Sequence, residues 1–158
     1  MATLPQLIEE DVQQFDEALR ELLKQTEATT ALIIDQGGFL ITHHGDSQHF
    51  DVTTIAALTS GAYMANQTIA SLVHETTFNS IYQQGENVSI FALSIDENCV
   101  LVVIFAAQLS VGAVKYFAVP AAHKIAKQMR RAQERDPNGG LDLSVLNVAD
   151  PAELFKRK

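Results

Sequence analysis

Nine consecutive apolar residues, Cys99 to Ala107, constrain the fold more than any other part of this sequence. The run is rich in β-branched side chains and far too short for a helix that crosses a bilayer. Because successive side chains of a strand point to opposite faces of the sheet, such a strand is apolar on both faces. Both faces then need cover, which predicts a sheet with helices on each side.

Four more segments have the character of strands. The sequence TTALIIDQGGFLITHH, which begins at Thr29, contains two apolar runs separated by Asp35 to Gly38 and predicts a hairpin. Phe78 to Gln83 and Asn87 to Ile95, joined by a Gln-Gly-Glu turn, form a three-stranded meander with the apolar run. The polar Phe78 to Gln83 segment should be an edge strand.

Three helices complete the pattern. The first has apolar residues at alternating steps of four and three: Ile8, Val12, Phe15, Leu19 and Leu22. The second begins after Asp51, whose carboxylate can cap its first turn. The third runs from about Ser110 to Arg135, and Pro120 should kink it or split it into two pieces. The fold class is therefore α/β in the order α-β-β-α-β-β-β-α, with a five-stranded, mainly antiparallel sheet.

The second helix has two distinct stripes. The first is an apolar series that we expect to face the sheet: Ile55, Leu58, Ala62, Ala65, Ile69 and Leu72. The second is small and almost uncharged: Ala57, Ser60, Gly61, Met64 and Thr68. Small side chains permit close approach by another helix, so this stripe predicts contact with a partner or with a second copy.

The chain of 158 residues has the length of one domain. We expect the domain to cover residues 1–135, followed by a linker at 136–140 and a tail at 141–158. Pro, Asn and Gly give the linker a flexible composition. The tail keeps several apolar residues, and Asp150 with Pro151 could begin a short helix that presents Leu154 and Phe155 as anchors to a groove on a partner. The alternative is that these two residues fold back onto the surface of this domain.

The distribution of charge excludes several partners. The net charge is −8, and no Lys or Arg occurs between Gln25 and Val114. Nucleic acids and anionic membranes need clustered cations, so both are poor partners for the central domain. The acidic start lacks the basic and apolar segments of a secretory signal, which favours a cytoplasmic protein. Cys99 is the only cysteine, and its apolar surroundings predict a buried structural thiol.

No residue pattern indicates an active site or a cofactor. Gly37 and Gly38 lack the setting of a phosphate-binding loop, and no serine stands in a GxSxG motif. His43, His44 and His49 lie near Asp46 and Asp51 and could present ligands to a divalent metal. We interpret them instead as exposed loop histidines and expect neither a metal nor a cofactor.

Specific stretches of this sequence resemble the roadblock family, which includes the roadblock dynein light chains. They are TALIIDQGGFLI, FDVTTIAALTSGAYMANQTIASLV, FNSIYQQGENVSIFALSI and CVLVVIFAAQLSVGAVK, in order along about Thr29 to Lys127. The details are similar to a bacterial branch of the family, through Ser60-Gly61, the Gln-Gly-Glu turn, Val102 to Phe105 with Ser110 to Gly112, and the tail motif DPAELF.

The resemblance implies a homodimer that binds a Ras-like small GTPase of the MglA kind, two protomers to one GTPase, and stimulates GTP hydrolysis in cell polarity or motility. Such a regulator has no active site of its own and inserts no arginine finger. Its second helix is the implied docking surface, mapped onto the small stripe Ala57, Ser60, Gly61, Met64 and Thr68. For each of these residues, packing within the helix layer or the dimer is the alternative.

Dimerisation is also expected from the residues themselves. An edge strand at Phe78, Ile81 and Tyr82 offers unpaired backbone groups to a twin, which would join two sheets. Two alternatives to GTPase activation stay open at this point. One is a scaffold subunit that binds other proteins without altering GTP turnover, and the other is a sensor of a metal or small molecule.

Overall fold

The structure of the protein, a computed structural model, describes residues 4–135. Eight elements follow the predicted order: α1 (Glu9–Thr26), β1 (Thr30–Asp35), β2 (Leu40–Gly45), α2 (Val52–Leu72), β3 (Ser80–Gln84), β4 (Val88–Ser94), β5 (Cys99–Ala106) and α3 (Val111–Arg135). The expected linker and tail lie outside the described residues.

The five strands form one antiparallel sheet in the order β2-β1-β5-β4-β3. The apolar run becomes the central strand β5, which pairs with β1 on one side and β4 on the other. Residues Cys99–Phe105 are all buried. A strand apolar at every position has thus taken the place where both of its faces and both of its edges are covered.

Helices cover the two faces unequally. α1 and α3 pack on one face, against Leu101, Val103 and Phe105. Within residues 4–135, α2 alone covers the other face, against Val100, Val102 and Ile104, and lies over β1 and β2. The α/β architecture with helices on both faces is confirmed. Because one helix serves the α2 side, the half of the sheet formed by β3 and β4 keeps half-buried apolar residues there, Ile81 and Ile90.

A buried carboxylate ties α1 to α3. Asp11 accepts two hydrogen bonds of 3.0 Å from the Arg135 guanidinium and one of 2.7 Å from the Gln128 amide. It also accepts one of 2.8 Å from the backbone N–H of Ile8, just before α1. These four donors together hold the charged form of Asp11, and the chain is joined near both ends of its described part.

Two local predictions need correction. Of the two outcomes predicted for Pro120, the split is wrong, because the third helix is continuous from Val111 to Arg135. Pro120 is exposed, so water can bind the carbonyl that loses its helical donor. Phe78 was expected in the edge strand but precedes β3, because its backbone N–H and C=O are bound by the side chain of Gln67 at 3.3 and 3.0 Å.

Candidate protein-binding surface

α2 begins as predicted at Asp51. The Asp51 carboxylate accepts hydrogen bonds from the Thr54 backbone N–H at 3.1 Å and from the Thr54 hydroxyl at 2.6 Å. These bonds hold the pKa of Asp51 below its ordinary value. From Val52 to Leu72 the helix then has no Asp, Glu, Lys or Arg. A surface helix normally carries charges on its outer face. The outer face of α2 is therefore better suited to contact with another protein than to contact with water.

The expected sheet-facing stripe of α2 was mostly wrong, since of its six residues only Ile55 packs against the core and only Ala62 is also half-buried. The buried residues are Val52, Ala56, Ser60, Tyr63 and Ala70. Leu58, Ile69 and Leu72 instead face outward, with exposed fractions of 70, 47 and 73%. Apolarity cannot choose a face on a helix that is apolar or small all around. Hydrogen bonding decides it here, since the buried hydroxyls of Ser60 and Tyr63 both find backbone carbonyls.

Four of the five residues expected to contact a GTPase lie on the exposed part of α2. Ala57, Gly61, Met64 and Thr68 line its outer side, with Met64 at 55% exposure. Ser60 is buried beneath them and donates its hydroxyl to the carbonyl of Gln36 in the hairpin turn. Ser60 therefore contributes to this surface by fixing the turn beside α2.

The hairpin turn between β1 and β2 approaches α2 closely. Gly38 has a φ of +96°, and a Cβ built there would lie 3.2 Å from the Cα of Ala57. A side chain at Gly38 would be strained by the backbone conformation and would also push the turn away from the helix. The predicted role of this glycine as a turn residue is confirmed.

Gly61 lies in the opposite environment. A Cβ built at Gly61 meets no atom within 4 Å. A glycine inside a helix costs about 0.5–1 kcal/mol relative to alanine, and no contact within the described residues requires one here. The position is suited to close approach by another chain.

A shallow cavity of about 400 Å³ lies beside the small stripe and is lined by Gln36, Tyr63, Met64, Gln67, Thr68 and Ser71. Gln67 holds the segment before β3 through Thr77 and Phe78. The cavity thus lies between the small stripe of α2 and Gln67, the residue that binds the segment before the edge strand. A bound partner could contact both elements at once.

β3 is an edge strand, as predicted: within residues 4–135 no strand pairs with its outer side. Ile81 faces the α2 side of the sheet. Tyr82 faces the other side and stacks on Phe105, with ring centroids 6.2 Å apart. Along β3, backbone groups without a partner within the described residues therefore lie next to Ile81, an apolar side chain that α2 covers only in part.

The titratable side chains of residues 4–135 lie mostly apart from one another. Within the described part of the chain, no group of three His, Cys, Asp or Glu residues could hold a metal ion. His49 contacts Asp46 at 2.6 Å on the exposed loop, which helps to lower the pKa of Asp46. Cys99 is fully buried, and loss of solvent raises the pKa of its thiol well above the ordinary value. Its predicted structural role is confirmed.

The helices within residues 4–135 include none long and apolar enough to cross a membrane. The tail anchors Leu154 and Phe155 lie outside the described residues.

Residues 14–105 match the model of the Roadblock/LC7 domain. The fold is also similar to solved structures of MglB. "MglB with tetrameric arrangement" has a TM-score of 0.78 at 27% identity, covering 84% of this chain and 99% of that one. MglB of Myxococcus xanthus has a TM-score of 0.75 at 28% identity, covering 80% and 96%. The gliding protein MglB of Thermus thermophilus has a TM-score of 0.75 at 27% identity, covering 83% and 99%. No curated protein sequence matches the chain significantly.

Proposed function

The chain belongs to the Roadblock/LC7 domain family, and from this premise we propose that it is a homodimeric regulator of a Ras-like small GTPase of the MglA kind. The charge-free helix α2 carries this proposal, because its outer face combines large exposed apolar residues with an open glycine. Likeness to MglB structures, one of them from a gliding protein, supports a role in bacterial motility or polarity.

The dimer would form across β3 and the outer face of α2. Pairing of two β3 edges would join the sheets and satisfy the free backbone groups. A second copy of α2 would then cover Ile81 and Ile90 and remove Leu58 and Leu72 from water. Such an interface should bury on the order of 1,500 Å² or more, so sedimentation of the pure protein at micromolar concentration should give the mass of a dimer.

The GTPase would dock on the small stripe of α2. Ala57, Gly61, Met64 and Thr68 lie together on its outer side, and Met64 and Thr68 also line the adjoining cavity. Two symmetric α2 helices side by side would present one composite surface, which suits two protomers to one GTPase. The surface offers no cation, so it would act by ordering the catalytic groups of the GTPase and not by an arginine finger.

The tail would add a second contact with the GTPase. Leu154 and Phe155 are apolar anchors on a tether that starts at the end of α3, and tethering raises their local concentration beside a docked partner. Truncation after Gly139, or Leu154→Ala with Phe155→Ala, should preserve the dimer and weaken GTPase binding or exchange. If these variants bind the GTPase with unchanged affinity and leave nucleotide exchange unchanged, the tail does not contact the GTPase.

The decisive experiment is a single-turnover measurement of phosphate release from the cognate GTPase loaded with GTP, with and without the protein. We expect faster phosphate release with the wild-type protein. The matched control Gln13→Arg, on the layer opposite α2, should give the same stimulation as the wild type. Met64→Arg should abolish the stimulation. Binding without any change in phosphate release or nucleotide exchange would favour a scaffold subunit instead.

A further inference from the structure

A groove separates α1 from α3 on the layer opposite α2. It has two lobes with volumes of about 270 and 360 Å³, which share Ala18, Glu21 and Lys124. Lys124 reaches across it to Glu21 at 3.0 Å. This ion pair is half exposed and contributes little to stability, so it can open at little cost. The groove is a single channel with a weak bridge at its middle.

One lobe is apolar and aromatic. Its walls include Leu22 from α1 and Phe117, Pro120 and Ala121 from α3. Tyr116 stands at its rim, 73% exposed, with its ring edge-to-face on Phe117 at 5.1 Å. An exposed tyrosine beside a proline and a phenylalanine offers apolar surface that can bind a large apolar side chain.

The other lobe is basic along α3 and lies toward the end of that helix. Lys127 and Arg131 line it from α3, and Glu17 lines it from α1, so the basic residues lie on the α3 wall of this lobe. Four residues beyond Arg131, the described chain ends at Arg135, which Asp11 holds in place. Residues 136–158 are therefore joined to the domain near the Arg131 end of the groove.

The tail has the complementary composition. Residues 141–155 carry Asp142, Asp150 and Glu153 and no basic residue. The last two residues of this stretch are Leu154 and Phe155, two large apolar side chains, and Lys156, Arg157 and Lys158 follow them. An acidic segment followed by two large apolar residues matches a groove that has Lys127 and Arg131 on the α3 wall of its near lobe and aromatic residues in its far lobe.

The distances allow this contact. Pro120 lies 15 positions before Arg135, which is about 22 Å along a helix. Leu154 lies 19 positions after Arg135, and an extended chain of that length spans roughly 60 Å. The tail can therefore turn back at Gly139 and Gly140, run antiparallel to α3 and reach the aromatic lobe.

We propose that the groove between α1 and α3 is the resting site of the protein's own tail, with Leu154 and Phe155 in the aromatic lobe and the acidic residues along Lys127 and Arg131. The inference does not rest on the proposed function, since it needs no GTPase. If the tail also anchors a GTPase, the groove and the partner compete for it, and docking on the groove keeps the tail away from α2.

The test places a paramagnetic label on the full chain at Lys156→Cys and measures backbone amide signals by NMR. Cys99 is buried and should stay unlabelled. Signals of residues 18–25 and 116–131 should lose at least half of their intensity relative to the reduced label. The double variant Lys127→Glu, Arg131→Glu should restore them, whereas Lys115→Glu, exposed on the same helix outside the groove, should not.

Two results would overturn the inference: full intensity around the groove in the labelled chain, or loss that persists unchanged in the Lys127→Glu, Arg131→Glu variant. Thermal unfolding of the variants separates an unfolded domain from a released tail, because none of the three substituted side chains is buried. No GTPase is present, so either result leaves the phosphate-release experiment untouched.

Discussion

Arg135 and Asp11 meet through two hydrogen bonds of 3.0 Å, although 124 positions separate them in the sequence. The contact joins the last residue of α3 to the first turn of α1. Asp11 is fully buried and Arg135 keeps about a third of its side chain in water. The carboxylate therefore depends on its protein donors, whereas the guanidinium can be hydrated without it.

Asp11→Asn should destabilise the domain by about 1–3 kcal/mol, because a buried acceptor of charged hydrogen bonds is replaced by an amide. Urea unfolding at neutral pH measures the change. Asp16→Asn, a half-buried acid on the same helix with one hydrogen bond to Thr42, is the matched control and should cost less. Equal losses in the two variants would contradict a special role for Asp11.

The same carboxylate makes stability depend on acid. Burial by itself raises the pKa of Asp11, but hydrogen bonds from Arg135, Ile8 and Gln128 outweigh it, so the pKa lies below the ordinary value. Its contribution is complete above the unfolded pKa of about 3.9 and is lost as the pH falls through the folded value. The gap in unfolding free energy between wild type and Asp11→Asn should narrow below about pH 4 and stay constant from about pH 5 to 8.

Gly61→Ala should stabilise the isolated domain by about 0.5–1 kcal/mol, because alanine favours the helix and the added methyl meets no atom. Gly61→Arg should leave the fold intact and weaken binding of the GTPase. Sedimentation and GTPase binding, measured beside thermal unfolding, separate the two effects. A Gly61→Arg protein with normal mass and normal stimulation would mean that no partner approaches this position.

Met64→Arg and Leu72→Arg distinguish the two uses proposed for α2. Both residues are exposed, so the fold should survive each change. We expect Met64→Arg to abolish GTPase stimulation with the dimer intact, and Leu72→Arg to lower the dimer affinity at least about tenfold in sedimentation experiments. If Met64→Arg instead weakened the dimer and Leu72→Arg abolished stimulation, the assignments of the two surfaces would have to be exchanged.

Gly45→Ala should destabilise the domain by at least about 2 kcal/mol, for two reasons. Gly45 has a φ of +100° at the end of β2, where other residues are strained by about 1–3 kcal/mol. An added Cβ would also overlap the carbonyl oxygen of Thr29. Thermal unfolding beside Gly61→Ala should show changes of opposite sign.

The sequence was sufficient for the elements and for the sheet, because β5 is apolar at every position and the first helix and hairpin show clear periods. It was insufficient for the rotation of α2. A helix without charges has no polar face to mark its outside, and its orientation depends on Ser60 and Tyr63 reaching carbonyls in distant loops. The start of β3 was misplaced for a related reason, since Gln67 takes the backbone groups of Phe78.

The Asp11 contacts could not be predicted either. Asp11 follows Glu9 and Glu10 at a helix start, where acidic residues are common on the surface, and nothing local distinguishes the one that is buried. Its partners Gln128 and Arg135 come from the far end of the chain. Pairing of this kind depends on the packing of α1 against α3.

The absence of charge on α2 has a consequence for discrimination among related proteins. Many interfaces reject wrong partners by placing like charges opposite each other. The helix from Val52 to Leu72 has no ionised side chain, so it cannot reject a partner by charge repulsion. Salt concentration should therefore hardly alter which proteins bind to it. In a cell with several related GTPases, this helix would distinguish them by shape, that is, by which GTPase can place a side chain against the open backbone at Gly61.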